Sequence, residues 1–208
     1  MTPTPPPLIL VTGATGKVGR TFIARLLGEE RFQHWRVRAL CHLRSLPAHE
    51  RIESVFGAIQ DRAAVLHALH GVTHVLHLAT SKETPDDVMA IPVLLDQAGV
   101  GLLRNFVHVD DLVGAILAAI DEPRARHQLM NVCMDEPVDY VRLGDHLART
   151  RGCPLVPIRD RYHSTWLDNS KARFLLRWRP QYDLVRLVDA AWAYERAADD
   201  PRRVWYPG

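Results

Sequence analysis

Three glycines spaced three residues apart constrain this chain most, because they stand between a predicted buried strand and a predicted helix. The apolar residues 8–11 predict the strand, and the helix should run to about residue 27. Gly13 permits a tight turn, Gly16 lacks the Cβ that would obstruct a pyrophosphate, and Gly19 lets the helix pack closely on the strand. The free N–H groups at the start of the helix would then face phosphate oxygens.

This strand, turn and helix predict a Rossmann-type unit that holds the pyrophosphate of a nicotinamide dinucleotide. The predicted contacts come from consecutive residues of the turn and the first helical turn: Gly13, Ala14, Thr15, Gly16, Lys17, Val18 and Gly19. A glycine turn that binds no ligand is the alternative interpretation. The position of the turn between a buried strand and a helix favours the ligand-binding interpretation over it.

The rest of the N-terminal part alternates between strands and helices. Residues 35–40, 52–56 and 73–79 predict further strands, and residues 61–69 predict a helix. This order is typical of an α/β fold with a doubly wound parallel sheet. We therefore expect a disordered tail over residues 1–7 and a dinucleotide-binding part over residues 8–89.

Residues 90–208 predict a smaller C-terminal αβ part that binds substrate. Residues 91–95 and 102–109 resemble a hairpin, and Asp110 and Asp111 are placed as the N-cap and first-turn acid of a helix over 112–120. A strand near 129–133 follows. Further helices are predicted over 140–150, 170–176 and 184–197, and the apolar Trp166 and Trp178 are expected in the core.

Composition excludes several classes of function. The net charge is +2, with acids and bases interspersed, so no basic stripe is available for nucleic acid. The longest apolar run is too short to span a bilayer, and three widely separated cysteines favour a reduced, cytoplasmic setting without disulfides. Four histidines at positions 67, 70, 74 and 77 are spread over different predicted elements, so no metal site is expected.

The end of the second predicted strand bears on the choice between NAD and NADP. An NAD site commonly has an acidic residue there for the adenosine ribose, whereas this chain has Cys41, His42, Leu43 and Arg44. Arg44, with His42 or Arg20, would suit a 2′-phosphate, which favours NADP over NAD. Solvated loop residues are the alternative interpretation of the same positions.

At several points the sequence resembles the NAD-dependent epimerase/dehydratase family, the extended short-chain dehydrogenases. The family's opening glycine signature is similar to residues 11–20, and its strand end beside the adenine is similar to residues 56–61, with Ala58 in place of the usual aspartate. Its H-L-A segment resembles residues 77–80. Residues 104–112 resemble the start of the substrate part in members that act on nucleotide sugars, and residues 168–180 resemble the C-terminal D-x-S-K-A-x-x-x-L-G-W-x-P signature.

The resemblance implies further site residues and an activity. Additional cofactor contacts would come from Ala58, Ile59, Leu78, Ala79 and Thr80. Arg104 would bind a substrate diphosphate, with Arg159 or Arg161 as a second clamp, although each of these arginines is also explained as solvated surface. The implied chemistry is hydride transfer on a nucleotide sugar or similar hydroxyl substrate, in a protein that forms a homodimer.

One feature of the family is missing from the sequence. The family's Tyr-x-x-x-Lys pair has no counterpart, because Gly144, Trp166, Arg186 and Ala198 stand four residues after the first four tyrosines. The catalytic residues are therefore left unassigned. One hypothesis is an enzyme whose middle segment, on the order of 100 residues, is absent between Met89 and Ala90. The other is a non-catalytic module that senses NADP(H) or holds a partner.

Overall fold

Four parallel strands form the sheet of the N-terminal unit. The computed structural model describes residues 6–79, 91–95, 99–120, 122–159 and 163–194, and the chain divides into two compact units, residues 1–83 and 84–208. The strands of the first unit lie in the order β3-β2-β1-β4. Their bounds are β1 Leu8–Thr12, β2 Arg36–Cys41, β3 Ile52–Phe56 and β4 His74–His77.

Two helices cover the two faces of this sheet. Helix α1, Lys17–Gly28, connects β1 to β2, and helix α2, Arg62–Leu69, connects β3 to β4. On the α2 face, Leu10, Leu40 and Val55 form one buried cluster with Ala68. Alternate strand residues point to the opposite face, where the side chains of β1 and β2 are also buried. The predicted Rossmann-type, doubly wound α/β fold is confirmed.

The described residues of the second unit form four α-helices and two small sheets. The helices are α3 Val109–Ala119, α4 Tyr140–Arg151, α5 Ser170–Leu176 and α6 Leu184–Trp192. Strands β5 Ile91–Leu95 and β8 Leu155–Arg159 pair in parallel, and β6 Leu103–Arg104 pairs antiparallel with β7 Val138–Asp139.

The predicted hairpin over residues 91–95 and 102–109 is wrong in its pairing. Strand β5 forms where expected, but its partner is β8, a strand that the sequence analysis did not predict and that contains a proline at position 157. Among the described residues, an isolated antiparallel bridge between Leu95 and Gly101 is what remains of a hairpin. Residues 96–98 of its predicted turn lie outside the described residues.

Two further predictions in this unit are wrong. Residues 129–133 form no strand, because the segment is held through side chains: the Asn131 amide donates to the carbonyl oxygen of Asp168. Trp178 is buried, and its Nε1–H donates to the carbonyl oxygen of Asp111, but Trp166 is 68% exposed. Trp166 is therefore not a core residue, although its residue type is apolar.

The junction between the two predicted parts of the chain lies outside the described residues. Met89 and Ala90, where the sequence analysis places a missing middle segment, lie outside the described residues. Within the described ranges, no helix is long and apolar enough to cross a membrane.

Candidate functional site

The turn after β1 is held against the end of β4 at Gly13. Gly13 has φ +67°, a left-handed conformation that side chains disfavour. A Cβ on Gly13 would lie 2.8 Å from the carbonyl carbon of Leu78 and 2.9 Å from the nitrogen of Ala79. Both the backbone conformation and the neighbouring backbone therefore require glycine here.

The other two glycines of the turn differ from each other. A Cβ on Gly19 would overlap the carbonyl oxygen of Gly13, so glycine lets α1 start close to the turn. Gly16 has an ordinary extended conformation, with φ −75° and ψ 170°, and a Cβ there would meet one atom, the Gly13 oxygen at 3.2 Å. Neither conformation nor severe crowding explains glycine at position 16, which leaves the approach of a ligand as a reason for it.

The N-terminus of α1 is arranged to receive an anion. Gly16 is the N-cap, so no side chain caps the first N–H groups, and the first turn contains no acidic residue. These N–H groups and the positive end of the helix dipole suit phosphate oxygens. The residues present therefore fit the pyrophosphate of a dinucleotide.

Thr12 connects the ends of β1 and β4, a role that the sequence analysis missed. Its buried Oγ1 accepts hydrogen bonds from the backbone N–H groups of Leu78 (3.1 Å) and Ala79 (3.2 Å). Oγ1 also lies 2.7 Å from Nδ1 of His77, and since it already accepts twice, its own proton is donated to that nitrogen. Thr12 thereby brings the predicted contact residues Leu78 and Ala79 to the glycine turn.

The predicted adenine-side residues follow two neighbouring strands. The N–H of Gly57 donates to the carbonyl oxygen of Cys41 at 2.9 Å, which places the ends of β2 and β3 side by side. Ala58 and Ile59 continue from β3, and the exposed His42 continues from β2. Cys41 is fully buried, and burial raises the pKa of its thiol, so the thiol stays protonated and unreactive.

Arg44 is half-buried beyond the end of β2 and forms no ion pair with any residue in the described ranges. Thr80, the last predicted cofactor contact, lies outside the described residues, as does Arg161.

The predicted substrate arginines of the second unit lie on different sheets. Arg104, on β6, donates to the carbonyl oxygen of His163. Burial raises the pKa of Tyr140, and the positive charge of Arg104 partly offsets that rise. Arg159 is the last residue of β8 and is exposed, with Nη2 at 3.5 Å from the position of a Cβ on Gly99.

Asp110 is not the N-cap of α3 as predicted, whereas Asp111 is a first-turn acid as predicted. The N-cap is His108, whose Nδ1 accepts from the N–H of Asp110 at 3.2 Å. The carboxylate of Asp111 is buried and accepts from the N–H groups of Gln181 (2.9 Å) and Tyr182 (3.1 Å). Both acids lie in the first turn of the helix, and Asp111 holds a segment that is distant in sequence, which no local pattern could reveal.

The four spaced histidines lie on and after α2 and on β4. His77 is hydrogen-bonded to Thr12, and the His74 ring packs at a tilt against Trp35 with ring centroids 4.6 Å apart. In the part of the chain that the structure describes, no three histidine, cysteine or acidic side chains are close enough together to hold a metal ion.

Comparison with known proteins agrees with this geometry. The model of the family described as NAD(P)H-binding matches residues 13–130, more than half of the 208-residue chain. No curated protein sequence matches significantly.

Solved structures share the fold at low sequence identity. A short-chain dehydrogenase/reductase superfamily protein from Agrobacterium tumefaciens with bound NAD has a TM-score of 0.70 and 17% identity, over 88% of this chain and 95% of that chain. The dTDP-glucose 4,6-dehydratase of Bacillus anthracis in complex with NAD has a TM-score of 0.67 and 12% identity, over 88% and 96%. The UDP-glucuronic acid 4-epimerase of Bacillus cereus, also with NAD, has a TM-score of 0.64 and 15% identity, over 88% and 96%. The chain therefore belongs to the NAD(P)H-binding family and has the fold of NAD-dependent epimerases and dehydratases.

Proposed function

We propose that this protein binds a nicotinamide dinucleotide at the turn Gly13 to Gly19 and acts by hydride transfer on a nucleotide sugar or similar hydroxyl substrate. One observation carries the binding proposal: the N-terminus of α1 has no side-chain cap and no first-turn acid. Gly16 has no strained φ, and a Cβ there would meet one tight contact, the Gly13 oxygen at 3.2 Å, so an approaching pyrophosphate is a further reason for that glycine.

The bound dinucleotide would supply or accept the hydride. The residues of this chain would position it: Thr12 fixes the backbone of Leu78 and Ala79, and the ends of β2 and β3 present Ala58, Ile59, His42 and Arg44 on the adenosine side.

NADP is the cofactor we favour. Arg44 follows β2 without an ion pair to any described residue, and no acidic residue stands at the strand end, so a 2′-phosphate would find a free cation and no repulsion. Thr80 would add a contact near the nicotinamide.

A nucleotide sugar is the substrate class we favour, with Arg104 and either Arg159 or Arg161 as candidate diphosphate ligands. The support is chemical, since guanidinium groups bind phosphate oxygens in a bidentate manner. A structure of similar fold, the Bacillus cereus UDP-glucuronic acid 4-epimerase, was solved with UDP-glucuronic acid and NAD. We also infer a homodimer and, from the three free cysteines, a cytoplasmic location.

A second candidate function is a non-catalytic NADP(H)-binding module that acts as a sensor or holds a partner. It is favoured by the sequence itself, in which no tyrosine is followed four residues later by lysine. Without such a pair, the proton that must move together with the hydride has no assigned carrier.

Calorimetry and absorbance together distinguish the candidates. The protein is titrated with NAD⁺, NADH, NADP⁺ and NADPH, and then mixed with NAD⁺ or NADP⁺ and UDP-glucuronic acid or dTDP-glucose while absorbance at about 340 nm is followed. Substrate-dependent reduction, or conversion of the sugar nucleotide without net reduction as followed by chromatography, supports the hydride-transfer function. Binding with neither change supports the module, and no binding of any dinucleotide contradicts both.

A further inference from the structure

The ring of His77 is fixed by the side chain that holds the end of β4 at the glycine turn. Nδ1 of His77 lies 2.7 Å from Oγ1 of Thr12, which is its register partner on β1. Because Thr12 donates its hydroxyl proton to Nδ1, this nitrogen is an acceptor and the neutral ring carries its proton on Nε2. With the residues that the structure describes, His77 forms no other hydrogen bond and no ion pair.

The hydroxyl group of Thr12 has no hydrogen-bonding capacity left. Oγ1 accepts from the N–H groups of Leu78 at 3.1 Å and of Ala79 at 3.2 Å, which occupies both of its lone pairs. The Leu78 N–H is shared with the carbonyl oxygen of Thr12, whereas the Ala79 N–H has no second acceptor among the described residues. Thr12 is 4% exposed, so solvent water does not readily replace a lost partner.

The two N–H groups that Thr12 holds belong to backbone at the glycine turn. A Cβ on Gly13 would lie 2.8 Å from the carbonyl carbon of Leu78 and 2.9 Å from the nitrogen of Ala79, so this backbone lies against the turn. A chain of contacts therefore leads from His77 through Thr12 to Ala79 and the turn. His77 is exposed, so its ring can exchange protons with solvent.

This arrangement requires a neutral ring at His77. An imidazolium donates from both ring nitrogens, so Nδ1–H would become a third donor directed at the two lone pairs of Thr12 Oγ1. The hydroxyl proton of Thr12 would lose its acceptor at the same time. At least one partner of Oγ1 would have to leave, and a buried hydroxyl without its partners is destabilising.

The other ionisable groups around His77 belong to its own strand and to the helices that cover the sheet. Strand β1 carries no ionisable side chain, and on β4 the second histidine, His74, lies at the opposite end of the strand, 2.9 Å from the hydroxyl of Thr73. Helices α1 and α2, with the N-cap of α2, carry Lys17, Arg20, Arg25, Asp61, Arg62 and His67. Among the described residues none of these forms an ion pair with His77.

We propose that His77 is a positioning residue for the dinucleotide. Its neutral ring holds Thr12, and through Thr12 the backbone of Ala79, in the conformation that binds the ligand, so affinity falls when the ring takes up a proton. This role rests on the proposed binding of a dinucleotide at the glycine turn. Imidazole side chains commonly titrate between about pH 5 and 8, so binding should strengthen as the pH rises over that range.

Calorimetric titration of the full chain with NADP⁺ at about pH 8 and about pH 5 tests this role in the unchanged protein and in three variants. His77→Asn keeps an acceptor oxygen close to the position of Nδ1 but does not titrate, and His77→Leu has no acceptor. From the higher to the lower pH, the affinity of the unchanged protein should fall about 3- to 10-fold more than that of His77→Asn, the effect of one hydrogen bond. His77→Leu should bind about 3- to 10-fold more weakly than the unchanged protein already at the higher pH.

His74→Asn is the matched control. His74 belongs to the same strand and also lies beside a threonine hydroxyl, but at the end of β4 away from the glycine turn. This variant should bind NADP⁺ like the unchanged protein at both pH values. His42 and the phosphate groups of the ligand are common to all four proteins, so the comparison between variants isolates the contribution of His77.

Nitrogen-15 NMR of the cofactor-free full chain tests the contacts without any ligand. The Ala79 amide signal should shift with pH at the same midpoint as the ring signals of His77, and this shift should disappear in His77→Asn.

The possible failures are distinguishable. An Ala79 signal that does not follow the His77 ring would overturn the proposal whether or not the chain binds a dinucleotide. If the Ala79 signal follows the ring but NADP⁺ binding has the same pH dependence in His77→Asn as in the unchanged protein, the contacts exist without positioning the ligand, and the proposal is again wrong. Absence of NADP⁺ binding at both pH values, with the Ala79 signal following the ring, would refute the dinucleotide site itself and the positioning role with it.

Discussion

Gly16→Ala should weaken dinucleotide binding without unfolding the protein, whereas Gly13→Ala should strongly destabilise the first unit. The two glycines lie three residues apart in the same turn, but their surroundings differ. A Cβ on Gly16 would meet the Gly13 oxygen at 3.2 Å in a relaxed extended conformation. A Cβ on Gly13 would meet backbone at 2.8 Å with φ at +67°.

The structure gives the expected magnitudes. Gly13→Ala combines a left-handed conformation, which costs about 1–2 kcal/mol, with overpacking, which costs about 1–3 kcal/mol, so the free energy of unfolding should fall by about 2–5 kcal/mol. For Gly16→Ala the single 3.2 Å contact with a backbone oxygen, without a strained φ, should cost about 1 kcal/mol, the low end of the overpacking range. The added methyl group would stand in the path of the phosphates, and loss of a charge-assisted hydrogen bond, worth about 1.5–3 kcal/mol, raises Kd roughly 10- to 150-fold.

Chemical denaturation measures the stability of each variant, and calorimetric titration with NADPH measures Kd. Gly28→Ala is the control, because a Cβ at that last residue of α1 meets nothing within 4 Å, so binding should be unchanged. An unchanged Kd for Gly16→Ala would refute the assignment of the glycine turn as the pyrophosphate site. An unchanged stability of Gly13→Ala would refute the packing argument.

Three other variants test separate features. In calorimetry, Arg44→Ala should weaken NADP⁺ binding by about 1.5–3 kcal/mol and leave NAD⁺ binding unchanged. Equal effects on the two cofactors would show that Arg44 is only a loop residue. Asp111→Ala leaves two backbone N–H groups without their acceptor, so the free energy of unfolding should fall by about 2–4 kcal/mol in denaturant titrations. A similar loss of stability for Asp110→Ala, at an exposed position, would contradict the role assigned to the Asp111 carboxylate. The Arg124 guanidinium, which hydrogen-bonds to Glu122, lowers the pKa of that carboxyl from its ordinary value of 4.5 to about 2. The resulting stabilisation is therefore present above about pH 4.5 and is lost as the pH falls through about 2, and carbon-13 NMR should find a higher Glu122 pKa in Arg124→Gln.

Elements with local signals could be predicted from the sequence. Strand Ile52–Phe56 and helix Ser170–Leu176 have the predicted bounds, and Asp61 caps α2 through its own side chain. Periodicity, capping residues and glycine turns act over a few positions, so the sequence reveals them directly. The order of strands and helices then predicted the Rossmann-type fold, and the glycine turn predicted the family.

Contacts between distant positions needed the tertiary structure. The pairing of β5 with β8, the clamp of Asp111 on residues 181–182 and the exposure of Trp166 depend on segments that are brought together only by folding. Thr12 shows the same limit at the candidate site, because its hydrogen bonds reach residues 77–79, more than sixty positions away. Short-range patterns in the sequence encode the fold class and the glycine turn after β1. The side chains that hold this turn to the end of β4 could be identified in the folded structure alone, because hydrogen bonding and burial depend on neighbours in space.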